Sequence, residues 1–230
     1  MDRTSQVRVA MVDQHALFTE CLGMVLSRRN YEVHGVPIPD GEGLTAQLLT
    51  RLRALRPDVL LVNADLGPHC DGAALIAPMV RAGVAVVVVL EHHDEASRGR
   101  CLEQGASAVL PKSASLASAV SVVRRVNLGL PVLDRSERDR LVELHRRRVA
   151  VRRDAHERLQ ELSPQEGEVL RHLMSGLTVR EIATVRVVSE STVRTQVKAV
   201  LAKLRISSQI AAVALAHKAG WEARPLAVAH

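Results

Sequence analysis

The chain has 230 residues, of which 47% are hydrophobic and only 1% aromatic, so its cores are expected to be aliphatic. Its odd number of cysteines, with no CxxC pair, excludes a disulfide framework and the usual zinc patterns: Cys21, Cys70 and Cys101. The amino terminus lacks an apolar signal core, and the apolar run at 84–90 is too short to span a membrane. Both observations predict a cytoplasmic protein with no membrane partner.

The net charge of +6 is concentrated in the carboxyl-terminal part of the chain. Residues 1–133 carry 13 basic and 13 acidic side chains, which leaves 18 of the 31 basic and 12 of the 25 acidic residues for 134–230. A basic part beside a neutral part indicates a polyanionic partner for one domain. A solvated basic surface would give the same count.

Strand and helix patterns alternate through the first 130 residues. Short apolar runs, each followed by apolar residues at helical spacing, predict strands at 6–12, 31–36, 58–63, 84–90 and 107–110. Such alternation predicts a five-stranded parallel sheet covered by helices on both faces. Functional side chains are then expected beyond the carboxyl ends of the strands.

Three stretches resemble the receiver domain of two-component response regulators, which has a flavodoxin-like α/β fold: VRVAMVDQHALFTECL, PDVLLVNADLGPHCDG and GASAVLPKSASLASAV. The resemblance implies a receiver-like domain at 1–130. It also implies a pocket in which two acids after the first strand bind Mg²⁺ and an Asp ending the third strand accepts a phosphoryl group. In that family a Thr or Ser ends the fourth strand and a Lys ends the fifth.

The sequence departs from this pattern at most of the pocket positions. Asp13 and Lys112 match, but Gln14, Asn63 and Glu91 replace the second acid, the phosphoryl acceptor and the Thr or Ser. An amide cannot form an acyl phosphate by this route, so we expect no Mg²⁺ or other cofactor, no enzymatic activity and no control by conventional Asp phosphorylation. Lys112 is expected to pair with Asp13 or Glu91. The domain is expected to serve dimerisation or to sense a small-molecule or protein effector.

Asp65 keeps an alternative open. It has the same strand parity as Asn63, so it would face the same crevice, two residues further along the chain. In this alternative the protein is a phosphorylation-activated two-component response regulator that accepts its phosphoryl group from a histidine kinase on Asp65.

Residues 131–160 are predicted to form a helical linker, because the segment is dense in charge and lacks a strand pattern. Arg148 and Arg158 interrupt a heptad seam near which five apolar residues fall: Leu141, Leu144, Val151, Ala155 and Leu162. Pairing with a second copy of the chain and a solitary solvated helix are both compatible with this pattern.

Capping chemistry predicts three helix starts in the last third of the chain. Ser163 with Glu166, and Thr178 with Glu181, have the spacing of capping boxes. Ser189 precedes a third helix that begins with an acidic residue. A short helix, a tight turn and a longer helix are typical of a helix-turn-helix motif.

The third helix has an apolar face at helical spacing, which we expect to be buried: Val193, Val197, Val200, Leu201 and Leu204. Arg194, Thr195 and Lys198 lie on its other faces. Arg and Lys donate to guanine edges and Thr contacts a thymine methyl group, so these side chains suit the major groove of DNA. An ordinary amphipathic helix with cations outside is the alternative.

Residues 162–216 resemble the DNA-binding domain of LuxR/NarL-type transcription regulators, through the motifs L-S-P-x-E, E-V-L, G-L-T-x-x-E-I-A, S-x-x-T-V-R-T-x-V and L-x-K-L. The resemblance implies an all-α helix-turn-helix domain at 161–230 and a sequence-specific transcription regulator that binds double-stranded DNA as a homodimer. It implies that Arg194, Thr195 and Lys198 read bases. Phosphate contacts are implied for Ser191, Thr192 and Lys203.

Two further positions bear on this resemblance. Gln196 stands where the family often has His, so the base preference is expected to differ. The final helix, predicted at 207–218, commonly makes the dimer contact in the family. One face of this helix would supply that contact, with packing inside its own monomer as the alternative: Ile210, Val213, Ala214 and His217.

Overall fold

The computed structural model describes residues 6–39, 41, 43–68, 70–91 and 94–221. The chain divides into two compact units at a boundary between Arg146 and Arg147. The boundary falls within the segment predicted as a linker.

The first unit is built on a parallel sheet, as predicted. Within the described residues it has five strands in the order β2-β1-β3-β4-β5: β1 Arg8–Val12, β2 Glu32–Gly35, β3 Val59–Asn63, β4 Ala85–Leu90 and β5 Ala108–Pro111. β3 and β4 lie inside the sheet, and nearly all of their side chains are buried on both faces. This position accounts for their unbroken apolar sequences.

Helices cover both faces of this sheet. One face carries α2 Leu44–Leu55, a 3₁₀ turn Gly72–Leu75 that continues into α3 Ile76–Arg81, and α4 Glu95–Glu103. The other face carries α1 Ala16–Ser27 and α5 Leu116–Asn127. Successive strand residues point to opposite faces, so Ala10 and Val12 join the first layer while Val9 and Met11 join the second. The predicted flavodoxin-like α/β arrangement is confirmed.

The helix α6, Arg135–Gln160, contains the boundary between the units. Its start is capped by Asp134, which accepts a hydrogen bond from the Glu137 backbone N–H at 2.8 Å. Of the heptad positions, Leu141 is buried in the core of the first unit and Ala155 is also buried, whereas Leu144 and Val151 are exposed. Pairing of this helix with a second copy stays a prediction.

The second unit is helical. It contains α7 Pro164–Met174, α8 Val179–Arg186, α9 Glu190–Lys203 and α10 Gln209–Ala219. Both predicted capping boxes are present, and the Ser189 hydroxyl accepts a hydrogen bond from the Thr192 backbone N–H. Together these observations confirm the three helix starts predicted from capping chemistry.

Apolar side chains hold the helices of the second unit together. The described residues include one buried cluster between α7, α8 and α9: Val169, Leu173, Ile182, Ala183, Val193 and Val197. A neighbouring cluster joins the end of α6 to α7, α9 and α10, and the half-buried Trp221 packs against it. No helix in the described part of the chain has both the length and the apolar composition needed to cross a lipid bilayer.

Gly99→Ala is expected to destabilise the first unit by about 1–3 kcal/mol, because overpacking displaces backbone. A Cβ at this position of α4 would lie 2.0 Å from the backbone oxygen of Leu141 in α6. The steric cost of the clash is expected to exceed the ~1 kcal/mol that Ala gains over Gly inside a helix, so the net change is destabilising. Gly35→Ala is the matched control, since its Cβ would meet nothing within 4 Å. Urea unfolding measures both variants, and equal midpoints would contradict the steric argument.

Candidate nucleic-acid interface and sheet-edge pocket

The buried face of α9 fixes which of its side chains reach solvent. Val193, Val197, Val200 and Leu204 are buried, as predicted. Leu201 was also predicted to be buried but is only half-buried, because it lies between the two apolar clusters and contributes to both. The opposite side of the helix is therefore left open.

The predicted base-reading residues lie on this open side. Arg194, Thr195 and Lys198 are all exposed. The Arg194 guanidinium lies 3.5 Å from Glu190 one turn earlier, with both side chains largely in solvent, so the pair is weak and easily exchanged for another partner. Ser191 and Thr192 are exposed in the first turn of the same helix. Their hydroxyl groups lie 2.7 and 2.8 Å from the Ser189 hydroxyl, respectively. A helix N-terminus lined with exposed hydroxyl groups suits phosphate oxygens.

Lys203 is placed differently from the other predicted DNA contacts. Its Nζ donates to the Glu166 carboxylate at 2.6 Å and to the backbone oxygen of Glu161 at 3.1 Å. Burial raises the pKa of Glu166, but hydrogen bonds from Lys203 and Ser163 outweigh it, so that pKa lies below its usual value. Lys203 therefore ties the end of α9 to the start of α7, and a phosphate contact at Lys203 would have to compete with these bonds.

A polar cluster that the sequence analysis did not identify joins α7, α8 and α9. The Arg186 side chain is only 13% exposed and lies 3.5 Å from the Glu168 carboxylate. Its second guanidinium nitrogen donates to the Gln196 Oε1 at 2.5 Å. The sequence held one sign of this cluster. Arg186 lies one helical turn after the buried Ile182 and Ala183, so a cation occupies a position on the buried side of α8.

The turn between α8 and α9 contains a strained residue. Val187 has φ 53° and ψ 48°, in the left-handed region, and its side chain is 90% exposed. A β-branched residue rarely adopts this conformation, which costs on the order of 1–3 kcal/mol unless the surrounding structure imposes it. The side chain gains little from packing, so the constraint must come from the neighbouring residues.

The final helix α10 divides the face predicted for dimer contact. Ile210, Ala214 and His217 are exposed, and Ile210 is 83% exposed. Val213 instead packs against the cluster between α7, α8 and α9. Three of the four predicted residues thus remain available to a second copy, while Val213 serves its own unit.

The sheet-edge pocket comprises Asp13, Gln14, Asn63, Asp65, Glu91 and Lys112. Parallel pairing brings the ends of β1, β3, β4 and β5 to one edge of the sheet, so the predicted residues are gathered there. The Asp13 side chain is 3% exposed, and its Oδ1 accepts from Lys112 Nζ at 3.2 Å. Lys112 Nζ also donates to Glu91 Oε1 at 3.2 Å. The predicted ion pair of Lys112 is therefore present with both acids.

His15 completes the network around Asp13. Its backbone N–H donates to Asp13 Oδ1 at 2.8 Å, and its ring Nδ1 lies 3.0 Å from the same oxygen and 2.6 Å from Lys112 Nζ. A ring nitrogen either donates or accepts, so Nδ1 satisfies one of these two partners at a time. Burial raises the pKa of Asp13, but the hydrogen bonds from His15 and Lys112 outweigh it and hold that pKa below its usual value.

Asn63 is buried at the end of β3, the position that the resemblance assigned to the phosphoryl acceptor. Its Oδ1 accepts from the Asp65 backbone N–H at 3.1 Å, and among the described residues its Nδ2 has no hydrogen-bond partner. Because Oδ1 is the acceptor in that bond, the amide group cannot rotate without losing it. Gly72 packs directly on this residue, since a Cβ there would lie 1.9 Å from the Asn63 backbone oxygen.

Asp65 and Gln14 lie on the exposed side of the pocket. Asp65 Oδ1 accepts from the Gly67 backbone N–H at 3.0 Å, and its backbone pairs with Asp71 in an isolated antiparallel bridge. The Gln14 Oε1 lies close to Gly67, 3.6 Å from where a Cβ would stand. Within the described residues, the acidic partners of Lys112 are Asp13 and Glu91 rather than Asp65.

Comparison with known proteins identifies relatives for both parts of the chain. Residues 160–216 match the family described as bacterial regulatory proteins, luxR family. The chain is 31% identical over 212 residues to the probable transcriptional regulatory protein NarL of Mycobacterium tuberculosis, covering 91% of this chain and 93% of that protein. It is 26% identical over 234 residues to the transcriptional regulatory protein DegU of Brevibacillus brevis, covering 94% and 95% respectively.

A solved structure shares the fold. The Salmonella typhimurium RcsB response regulator superposes with a TM-score of 0.52 at 22% identity, covering 90% of this chain and 98% of that chain. This likeness supports the α/β unit followed by a helical unit.

Lys112→Met is expected to destabilise the first unit at neutral pH by about 1–3 kcal/mol, because it leaves the buried Asp13 carboxylate without its cation. Asp13 has a depressed pKa in the folded state, so its contribution is present above its unfolded value and is lost as pH falls through the folded value. The difference between wild type and variant should therefore shrink as the pH falls below about 4.

Urea unfolding at several pH values measures this difference. Lys218→Met is the control, because it removes the same group from an exposed position of the second unit. A stability difference that stays constant from neutral to acidic pH would show that Lys112 does not act through Asp13.

Proposed function

The chain belongs to the LuxR family of response regulators and is a DNA-binding transcription regulator, and from this premise we propose that its two units have separate tasks. The helix α9 reads DNA as one half of a homodimer. The sheet-edge pocket is held by a permanent ion-pair network and is not controlled by conventional Asp phosphorylation.

The exposed cationic side of α9 carries the proposal for DNA recognition. Arg194 and Lys198 stand one turn apart with Thr195 beside Arg194, while the opposite side of the helix is buried in the unit's own core. This leaves the three side chains free to enter a major groove, where Arg and Lys recognise guanine and Thr recognises a thymine methyl group. Ser191 and Thr192 would contact phosphates and set the position of the helix.

We propose that two copies bind double-stranded DNA together. The exposed Ile210, Ala214 and His217 of α10 supply the contact between them, because an exposed Ile on a helix face is favourably buried by a second copy. Two recognition helices related by a two-fold axis reach half-sites about 10 bp apart. Phosphate contacts make the binding strongly dependent on salt.

The proposal for the sheet-edge pocket rests on the chemistry of its donors. Mg²⁺ is held mainly by carboxylates, but Gln14 and Asn63 are amides at two of the positions where the family has acids, and the ammonium group of Lys112 lies against the remaining acid, Asp13. The residues present do not fit the Mg²⁺ site of the family, and an amide at position 63 offers no carboxylate to phosphorylate. The first unit would instead serve dimerisation or respond to a small-molecule or protein effector.

Arg194→Ala and Lys198→Ala are each expected to weaken operator binding by about 1–3 kcal/mol and to relax the preference for one base pair. Both side chains would lose base contacts, whereas their removal leaves the buried face of α9 unchanged. Fluorescence anisotropy with an operator selected from random DNA measures the affinity and its salt dependence. It also measures the stoichiometry, which should be two protomers per operator.

Lys218→Ala is the matched control, because this exposed cation belongs to α10 in the same unit. It is expected to leave base preference unchanged. If Arg194→Ala and Lys198→Ala bind the selected operator as tightly as the wild type, α9 is not the recognition helix.

No stable phosphoryl adduct is expected when the full chain is incubated with a small-molecule phosphodonor and Mg²⁺ and its intact mass is measured. A receiver with an intact acceptor site, present in the same reaction, shows that the donor is active. The exposed carboxylate of Asp65 is the basis of the alternative function. An adduct that disappears in Asp65→Ala but persists in Asp71→Ala would establish that alternative and overturn ours.

A further inference from the structure

The polar cluster formed by Glu168, Arg186 and Gln196, which we name the helix clamp, lies in an otherwise apolar part of the second unit. The surrounding contacts between α7, α8 and α9 are made by aliphatic residues such as Val169, Ile182 and Val193. The guanidinium of Arg186 contacts Glu168 on α7 with one nitrogen and Gln196 on α9 with another. Three helices are thus joined through one largely buried side chain.

Stability alone does not account for the helix clamp. Desolvating a cation and a carboxylate costs several kcal/mol, and apolar residues of similar volume often give equal or greater stability. Arg186 continues the apolar stripe of α8, where Leu or Met would join the cluster of valines directly. The helix clamp instead fixes the relative orientation of the three helices. A guanidinium bonds to fixed partners at fixed angles, whereas aliphatic contacts permit one helix to slide along another.

Gln196 is the residue through which the helix clamp holds α9. It stands between Arg194 and Lys198 in sequence, and the half-buried amide faces the unit rather than open solvent. Its Oε1 accepts from Arg186, and its Nε2 lies 3.4 Å from Gln165 Oε1 on α7. Rotating or sliding α9 would break both contacts. The two contacts of Gln196 therefore fix which way the exposed side of α9 faces.

The residue after Arg186 has a strained backbone. Val187 is held in a left-handed conformation that its β-branched side chain disfavours, and that side chain is almost fully exposed. The residues on either side must impose this conformation. Arg186 is anchored on one side, and on the other side the Val188 backbone N–H bonds to Ala183 and Ser189 caps α9.

We propose that Arg186 is a positioning residue for DNA recognition, which sets the rotation and depth of α9 through Gln196 without touching DNA itself. The inference rests on the proposed recognition role of α9. It assigns base selectivity to a residue that lies behind the recognition helix and holds it against α7.

Arg186→Met in the full chain tests the proposal. Met keeps an unbranched apolar side chain about as long as the methylene part of Arg, and it loses both polar contacts. We expect the ratio of operator affinity to random-sequence affinity to fall roughly tenfold, the discrimination that one well-placed base contact supplies. Affinity for random DNA, which depends on phosphate contacts, should change less than about twofold. Thermal unfolding should show an unchanged or higher midpoint, which separates positioning from a purely structural role.

A second variant covers the case in which Met disturbs the fold. Arg186→Lys keeps a cation beside Glu168 but cannot reach two partners at fixed angles, so the same fall in the affinity ratio is expected. Arg180→Met is the matched control, because Arg180 is an exposed residue of the same helix. A double-variant cycle with Gln196→Met should show that the second substitution adds little once Arg186 is lost.

The outcomes separate this inference from the proposed function. If either folded Arg186 variant keeps the wild-type affinity ratio while Arg194→Ala loses it, α9 still reads DNA but the helix clamp does not position it. If Arg194→Ala also keeps the ratio, the recognition role of α9 fails, and the inference fails with it.

Discussion

The burial of one face of α9 against α7 and α8 decides which side chains of this helix reach solvent. Because valines at helical spacing commit one side of the helix to the core, the remaining side has only solvent or a ligand to face. The side chains that α9 presents to solvent therefore depend on how the three helices meet. Arg186 adds a polar contact to the middle of α9, at Gln196, and Lys203 adds one at its carboxyl end, with Glu166.

In the first unit, the arrangement of the strands and the chemistry of the pocket at their ends are separate features. Parallel pairing brings the ends of β1, β3, β4 and β5 to one edge regardless of which side chains follow them. Here an ammonium group bridges two carboxylates, and a buried amide sits where a third carboxylate would have added repulsion. Lys112 thus offsets the charge of two nearby carboxylates, while the buried Asp13 Oδ2 and Asn63 Nδ2 have no hydrogen-bond partner among the described residues.

Local rules were sufficient for much of the structure. The alternation of apolar runs predicted the sheet, and capping residues within three positions of one another predicted the helix starts, because both depend on neighbours in sequence. The contacts that escaped prediction join distant positions. Lys203 finds Glu166 and Arg186 finds Glu168 only after the helices have packed, and no local pattern records these partners. Leu201 differed from expectation for the same reason, since its burial depends on how two clusters share an edge. Val213 took the second of its two predicted roles, packing inside its own unit.

The scarcity of aromatic residues has a practical consequence. The chain has one Tyr and one Trp, and they belong to different units. Tyr31 packs beside the sheet, and Trp221 packs against the apolar cluster that joins the end of α6 to α7, α9 and α10. Indole emission therefore reports the surroundings of the helical unit alone. Thermal unfolding followed by tryptophan fluorescence would therefore distinguish unfolding of the helical unit from unfolding of the α/β unit, with no label introduced.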